Sequence, residues 1–360
     1  MNSTLPQLLK AMLEHKASDM HVTSGSPPAF RVHGQILRTK LQTLTPAETK
    51  ELCYSVLTDY QKAQFEEQKH LDFSFGIRDL ARFRANVYYQ RGAVAGAFRH
   101  IPYEIPKLNT LGIPTNVTSL LHRPRGLVLV TGATGSGKST TLAAMIDYLN
   151  DTEHLHIVTI EDPIEYIHSH RNCLINQREV GQDTKTFGGA LKAALREDPD
   201  VVLVGEMRDR ETIETALTLA ETGHLVFSTL HTNGAYQTIT RIIQVFPADY
   251  QDQIKLQLSM VLEGIISQAL IQRQDRAGRT LAMELMIPNP SIRNLIRENK
   301  TYQIPSAMMI GQDQTGMTTM NQSLATLVKK RVITQEAALM NSPDPEELIK
   351  QLADQLKKAS

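Results

Sequence analysis

Residues 132–139 read Gly-Ala-Thr-Gly-Ser-Gly-Lys-Ser and follow the apolar run Gly126-Leu-Val-Leu-Val-Thr131. A glycine-rich loop that leaves a strand and opens a helix is built to hold phosphate. Gly132, Gly135 and Gly137 let main-chain N–H groups curl around an anion with no Cβ in the way. The helix expected from Lys138 to about Asn150 points its partial positive end at the same anion. Ala133, Thr134, Ser136 and Thr140 complete the cradle. Lys138 is placed to reach the β- and γ-phosphates, and the Ser139 hydroxyl to ligate Mg²⁺. The chemistry expected is binding and hydrolysis of a nucleoside triphosphate, ATP, with Mg²⁺ as cofactor.

Three further segments carry chemistry. Asp200-Val-Val-Leu-Val-Gly-Glu206 describes a buried strand that delivers a carboxylate; Glu206 is expected to polarise the attacking water or to touch the metal through water. Ile160-Glu161-Asp162-Pro163-Ile164-Glu165 places acids just past a strand that Pro163 ends. Glu161 and Glu165 either orient Mg²⁺ or the water, or form a solvated acidic turn. His231 closes the run His224-Leu-Val-Phe-Ser-Thr-Leu-His231 and is read either as a donor to the γ-phosphate or as a structural histidine. His224, at the opposite end of that strand, reads as structural. Arg82, Arg84, Arg91 and Arg99 crowd a separate part of the chain. They are either a solvated sheet face or a source of an arginine finger supplied to another subunit, which accelerates hydrolysis by about 10³–10⁵.

These groups need strands that end at one edge. After residue 116 short apolar strands, expected at 126–131, 156–161, 201–205 and 224–230, alternate with helices expected at 138–150, 184–196, 210–222 and 234–244. This is the pattern of a wound parallel sheet, which binds ligands at its carboxyl edge. A long helix is expected from about 249 to 272, and the tail from Pro288 reads as a polar helical appendix with breaks at Pro305, Gly311 and Pro343. The first hundred residues read as a small α+β domain. It has an amphipathic helix at 5–13, strands at 29–33, 72–75, 82–89 and 93–100, and helical spacing at 46–69. Prolines 102, 106 and 114 mark an extended linker at 101–115. The domains expected are therefore 1–100, a linker, 116–288 and 289–360.

Composition narrows the function class. Of 360 residues, 38 are Lys or Arg and 38 Asp or Glu, so net charge is zero; aromatics are 5% and Trp is absent. Neither a basic phosphate track nor a base-stacking platform is present, which argues against nucleic acid as partner. Two cysteines, Cys53 and Cys173, read as a reduced cytoplasmic chain. No apolar stretch approaches the ~20 residues of a membrane span; any link to a membrane is expected to run through a partner.

The phosphate loop, Thr159-Ile-Glu-Asp-Pro-Ile-Glu-Tyr166, Ile175-Asn-Gln-Arg-Glu-Val-Gly181, Gly205-Glu-Met-Arg-Asp209 and the run 222–234 resemble the secretion ATPases of type IV pilus and type II secretion systems. Within that superfamily the chain is similar to the pilus retraction branch through Ala17-Ser-Asp-Met-His-Val22, Gly96-Ala-Phe-Arg-His-Ile-Pro102 and Ser291-Ile-Arg-Asn-Leu-Ile-Arg-Glu298, with Ser in place of the usual Ala. The resemblance implies an α/β fold: a PAS-like N-terminal domain, a RecA-like P-loop domain and a C-terminal helical subdomain, assembled as a homohexamer. It implies that Glu161 and Glu165 belong to an acidic box, Glu206 to a Walker B element and His231 to a histidine box. Arginines of the N-terminal strands then reach the neighbouring subunit's nucleotide. It places the protein at the cytoplasmic face of the inner membrane, at the pilus base. There it engages a platform protein and drives pilin disassembly for twitching motility. The alternatives are an extension or type II secretion ATPase, an accessory retraction paralogue, and a nucleotide-binding regulator without turnover. The first usually carries further N-terminal domains and a four-cysteine zinc insert. The segment 291–298 leans against the second, and Lys138, Ser139 and Glu206 against the third.

Overall fold

The computed structural model describes residues 4–32, 34–78, 80–101, 104–310 and 312–357. His33, Pro102 and Gly311, expected in a strand end, a linker and a helix break, lie outside them. The chain divides into two compact units, Met1–Glu104 with Pro163–Ile167, and Ile105–Asp162 with His168–Ser360.

In the first unit the described strands are β1 (Asp19–Val22), β2 (Ala29–Val32), β3 (Gln35–Arg38), β4 (His70–Ile77), β5 (Ala81–Gln90) and β6 (Ala93–Ile101). They form one antiparallel sheet in the order β3-β2-β1-β6-β5-β4. The period-two pattern of β5 does what it predicts: Ala81, Phe83, Ala85 and Val87 are buried while Arg82 and Arg84 take the other face. The β5–β6 hairpin turns at Arg91-Gly92, both left-handed at φ 49° and 77°, as a tight hairpin requires. The helical stretch expected at 46–69 is two helices, Pro46–Tyr54 and Asp59–Gln68. Thr58 restarts the chain there by accepting from Gln61 N, while the Gln61 side chain accepts from Thr58 N, a reciprocal cap. Phe65, Phe83, Phe98 and Met20 centre the core.

In the second unit the described strands are β7 (Gly126–Thr131), β8 (His156–Glu161), β9 (Leu174–Glu179), β10 (Val201–Val204), β11 (Leu225–Leu230), β12 (Leu262–Gln272) and β13 (Arg279–Met286). Their order is β13-β12-β7-β11-β10-β8-β9, parallel throughout except for the β12–β13 pair. β7, β10 and β11 are buried along their whole length, which is why they read as continuous apolar runs rather than alternating ones. The helix Lys138–Thr152 covers one face; Phe187–Ala194, Arg210–Glu221 and Ala235–Gln244 cover the other.

The structure replaces the helix expected from about 249 to 272 with a helix and a strand. The chain is helical only over Gln251–Val261 and continues as β12, beside the phosphate-loop strand. Apolar residues line both faces of β12, so its sequence shows no alternation and cannot be told from a buried helix by period. The change is local: Leu262 is extended, and Gly264 follows at a bulge where an added Cβ would lie 2.5 Å from Leu120 Cδ1. Residues 105–117 also differ from an extended linker. Leu108, Ile113 and Val117 are buried with Leu120, Val128 and Val130. The helical tail is part of the same body: Ile292, Ile296, Ile304 and Met308 join the sheet's core, and Met320, Leu324 and Ala338 pack with Ile271 and Ala282.

Candidate functional site

The parallel register brings four loops to one edge. Thr131 stands opposite Leu230, Val204 opposite Ser228, and Val204 opposite Ile160. The residues that follow, Gly132, His231, Gly205 and Glu161, therefore leave the sheet together, as the wound fold requires.

The phosphate loop is shaped by backbone chirality. Gly132, Gly135 and Gly137 have φ of 140°, 79° and 94°, a region other residues avoid. At Gly132 a Cβ would also lie 2.3 Å from Gln268 O and 2.6 Å from Ser136 Oγ, so the turn is closed to any side chain. Gly137 caps the helix Lys138–Thr152 with no side-chain acceptor, leaving first-turn N–H groups for an anion. Ala133, Thr134, Gly135 and Ser139 are exposed and Thr140 half-buried. Ser136 is buried, and its Oγ has no hydrogen-bond partner among the described residues. Lys138 is buried and folds back on the loop, donating to Gly132 O at 2.8 Å and Ala133 O at 3.0 Å. Burial pushes its ammonium pKa down, opposed by the charge of Glu206. An ammonium turned onto its own loop's carbonyls, an orphaned hydroxyl and uncapped amides together fit a polyphosphate.

Glu206 lies two residues beyond β10, pairing with Arg208 Nε at 2.8 Å and His231 Nε2 at 3.4 Å. Its loop is strung between neighbouring strands: Gly205 N donates to Ile160 O, Thr229 Oγ1 to Gly205 O and Met207 N to Thr229 O. Glu161 accepts from Thr159 Oγ1 at 2.7 Å and Gln177 Nε2 at 3.3 Å. Phosphate loop, Glu161, Glu206 and His231 are thus brought together. His224 packs at the other end of β11, its Nδ1 3.0 Å from Leu219 O, a structural contact. Glu165 falls in the short segment that belongs to the first unit, where it pairs with Arg84 Nη1 at 3.6 Å.

The arginines do not form one cluster. Arg84 and Arg99 are directly opposite on β5 and β6, and Arg82 shares their face. Arg99 is tied to Asp19 at 2.7 Å, and Arg82 donates to Ser74. Arg91 sits at the hairpin turn, seven residues from Arg84, about 23 Å along a strand.

Sequence reasoning gave no role to Arg208, although it lies in the Gly205–Asp209 motif. It also missed Ser267 and Gln268, hidden in the stretch read as helix. Ser267 Oγ is 2.6 Å from Thr131 Oγ1, and Gln268 Nε2 donates to Thr141 Oγ1 at 2.8 Å. Among the described residues no group of three or more His, Cys, Asp or Glu side chains could hold a metal. The donors near the loop, Ser139 and Glu206, suit a Mg²⁺ that keeps waters and phosphate oxygens as most of its shell. No helix among the described residues is long and apolar enough to cross a membrane.

Residues 2–339 match the family described as Type II/IV secretion system protein. The chain is 48% identical over 342 residues, 95% of its length and 99% of the relative's, to a type IV pilus retraction ATPase, PilT, of Pseudomonas aeruginosa. It is 41% identical over 342 residues, 95% of this chain and 89% of the other, to the type IV pilus ATPase PilU of the same organism. Among solved structures it resembles a pilus retraction motor, PilT, with bound ADP: TM-score 0.91, 55% identity, 97% of this chain and 99% of that one. The DotB ATPase of Legionella pneumophila follows at TM-score 0.83 and 27% identity, covering 94% of this chain and 96% of that one. The α/β architecture expected from the sequence, an N-terminal domain and a RecA-like ATPase domain, is the architecture of these relatives.

Proposed function

We propose that this chain, which belongs to the Type II/IV secretion system protein family, is the motor ATPase that powers retraction of a type IV pilus. Near full-length likeness to retraction ATPases supports the assignment. The observation that carries the chemistry is the Lys138 ammonium folded back onto the Gly132 and Ala133 carbonyls, at the sheet edge from which Glu206 also leaves. ATP enters with its phosphates on residues 132–140. Lys138 exchanges the carbonyls of Gly132 and Ala133 for the β- and γ-phosphates, which releases the loop to wrap them. Glu206 orients the attacking water and takes up its proton, with Glu161 and His231 beside it; His231 donates to the γ-phosphate and so reports its presence. Glu165, with Arg84, belongs to the acidic box. Ser139, and Glu206 through water, would hold Mg²⁺, which supplies neutralisation of charge developing on the phosphates.

The protein works as a homohexamer at the cytoplasmic face of the inner membrane, engaging a platform protein and, through it, pilin. Arginines of the first unit, among Arg82, Arg84, Arg91 and Arg99, complete the neighbouring subunit's site, so turnover requires the ring. The retraction segment is compatible with its Ser: Ser291 is exposed at the start of the helix Pro290–Arg297, while Ile292 and Ile296 are buried. Two measurements test the proposal. Purified protein should release phosphate from ATP only with Mg²⁺ and only when assembled. A deletion strain should lose surface motility while accumulating pili; loss of pili instead would make this an extension ATPase.

A further inference from the structure

Glu284, on β13, is a buried carboxylate that the hydrolysis above does not use. Ala235 N donates to its Oε1 at 2.7 Å and Met320 N to its Oε2 at 3.3 Å. Each donor is the first residue of a helix, Ala235–Gln244 and Met320–Lys329. Two helix N-termini, each with unsatisfied amides and a partial positive charge, therefore converge on one side chain. Burial pushes the Glu284 carboxyl up, and the two amides act against that.

What Glu284 joins is informative. The helix from Ala235 is entered through His231-Thr-Asn-Gly234. Asn233 and Met320 line one cavity of about 410 Å³ together with Ala133 and Ser136 of the phosphate loop. Within the sheet Glu284 stands opposite Ser267, and Ser267 opposite Thr131. All three are buried, and the Ser267 and Thr131 hydroxyls meet at 2.6 Å. Thr131 is the residue before Gly132. A buried polar row thus runs from the root of the phosphate loop to a carboxylate that holds both the His231 segment and the helix Met320–Lys329.

We propose that Glu284 is a positioning residue that makes the phosphate loop, the His231 segment and the helix Met320–Lys329 respond to nucleotide as one body. The inference rests on the reading that residues 132–140 bind nucleotide. A carboxylate is needed because it offers two acceptor oxygens; an amide of the same shape offers one and faces the second N–H with a donor. A buried donor left in that state is costly.

Hydrogen–deuterium exchange of the full-length assembled protein, with and without ADP, tests this in wild type and Glu284→Gln, alongside kcat and KM for ATP. In wild type, ADP is expected to slow exchange at 132–140, 232–238 and 319–323. In Glu284→Gln it should still slow 132–140 but no longer 319–323. kcat should fall roughly tenfold, with KM within about twofold. Protection confined to 132–140 in wild type overturns the proposal, and that measurement decides alone if the variant does not fold. A variant that melts earlier but keeps the wild-type ADP pattern and kcat makes Glu284 merely structural and also overturns it. No protection at 132–140 refutes nucleotide binding there, and the coupling falls with it.

Discussion

Replacing Glu206 by Gln keeps the side chain's size and removes the charge that faces Arg208 at 2.8 Å and His231 at 3.4 Å. Two consequences separate cleanly by magnitude. Arg208 is 68% exposed in its side chain and His231 44%, so solvent screens both pairs and their loss costs at most about 1 kcal/mol. For a unit of this size that lowers a melting temperature by about 2–4 °C. Loss of a general base, by contrast, lowers turnover by about 10²–10⁴, or roughly 2.7–5.5 kcal/mol of barrier. Phosphate release at saturating ATP, measured beside an ADP titration and a melting curve, distinguishes them. The expected result is a kcat at least a hundredfold below wild type, with ADP affinity changed by less than about threefold because no phosphate-loop contact is touched. A variant that turns over within tenfold of wild type, with an unshifted melt, would remove Glu206 from the chemistry and leave its contacts with Arg208 and His231 as loop structure only.

Gly132→Ala puts a Cβ 2.3 Å from Gln268 O at a φ of 140°; the strain of about 1–3 kcal/mol should weaken ADP binding by at least tenfold by calorimetry, with β7 itself intact. His168 is half-buried, and its pKa is depressed from 6.5 to about 4, first by desolvation. Its neutral form is the folded one, so its contribution to stability is full above pH 6.5 and is lost as pH falls toward 4, by about 3 kcal/mol. His168→Gln should flatten the pH dependence of denaturant midpoints across that window, and an unchanged profile would refute the assignment. In the assembled ring Arg84→Ala should cut turnover by about 10³ or more, whereas Arg91→Ala, at the far end of the hairpin, should not; the opposite outcome in phosphate-release assays would move the finger to the turn.

The gathering of the candidate groups at one edge was legible because each follows a short apolar run. Gly132 after β7, Glu206 after β10 and His231 after β11 break the apolar pattern at the end of strands buried on both sides, and the parallel fold gathers such ends at one edge. Paired strands in the first unit were legible for the opposite reason: one face of β5 is wet, so Phe83 and Ala85 alternate with Arg82 and Arg84. What stayed hidden depends on properties one window of sequence does not carry. β12 is buried on both faces, and two-sided burial erases the period that separates strand from helix. Ser267 and Gln268 were hidden with it.

Register hides more than secondary structure does. Arg82, Arg84 and Arg99 share a face, and Arg91 stands apart, only because β5 and β6 pair as Arg84 with Arg99. A slip of one residue would send Arg99 to the core face and bring Phe98 out. The same holds for Thr131, Ser267 and Glu284, which come from segments 136 and 17 residues apart in sequence and meet because two strand pairings align them. Isolated polar residues in apolar strands look like defects in a linear reading. Aligned across β7, β12 and β13 they satisfy one another or the helix ends above them, which is the condition under which buried polar groups are tolerated at all. A strand residue that is polar, buried and one pairing away from a phosphate loop is therefore better evidence of coupling than its own sequence context allows.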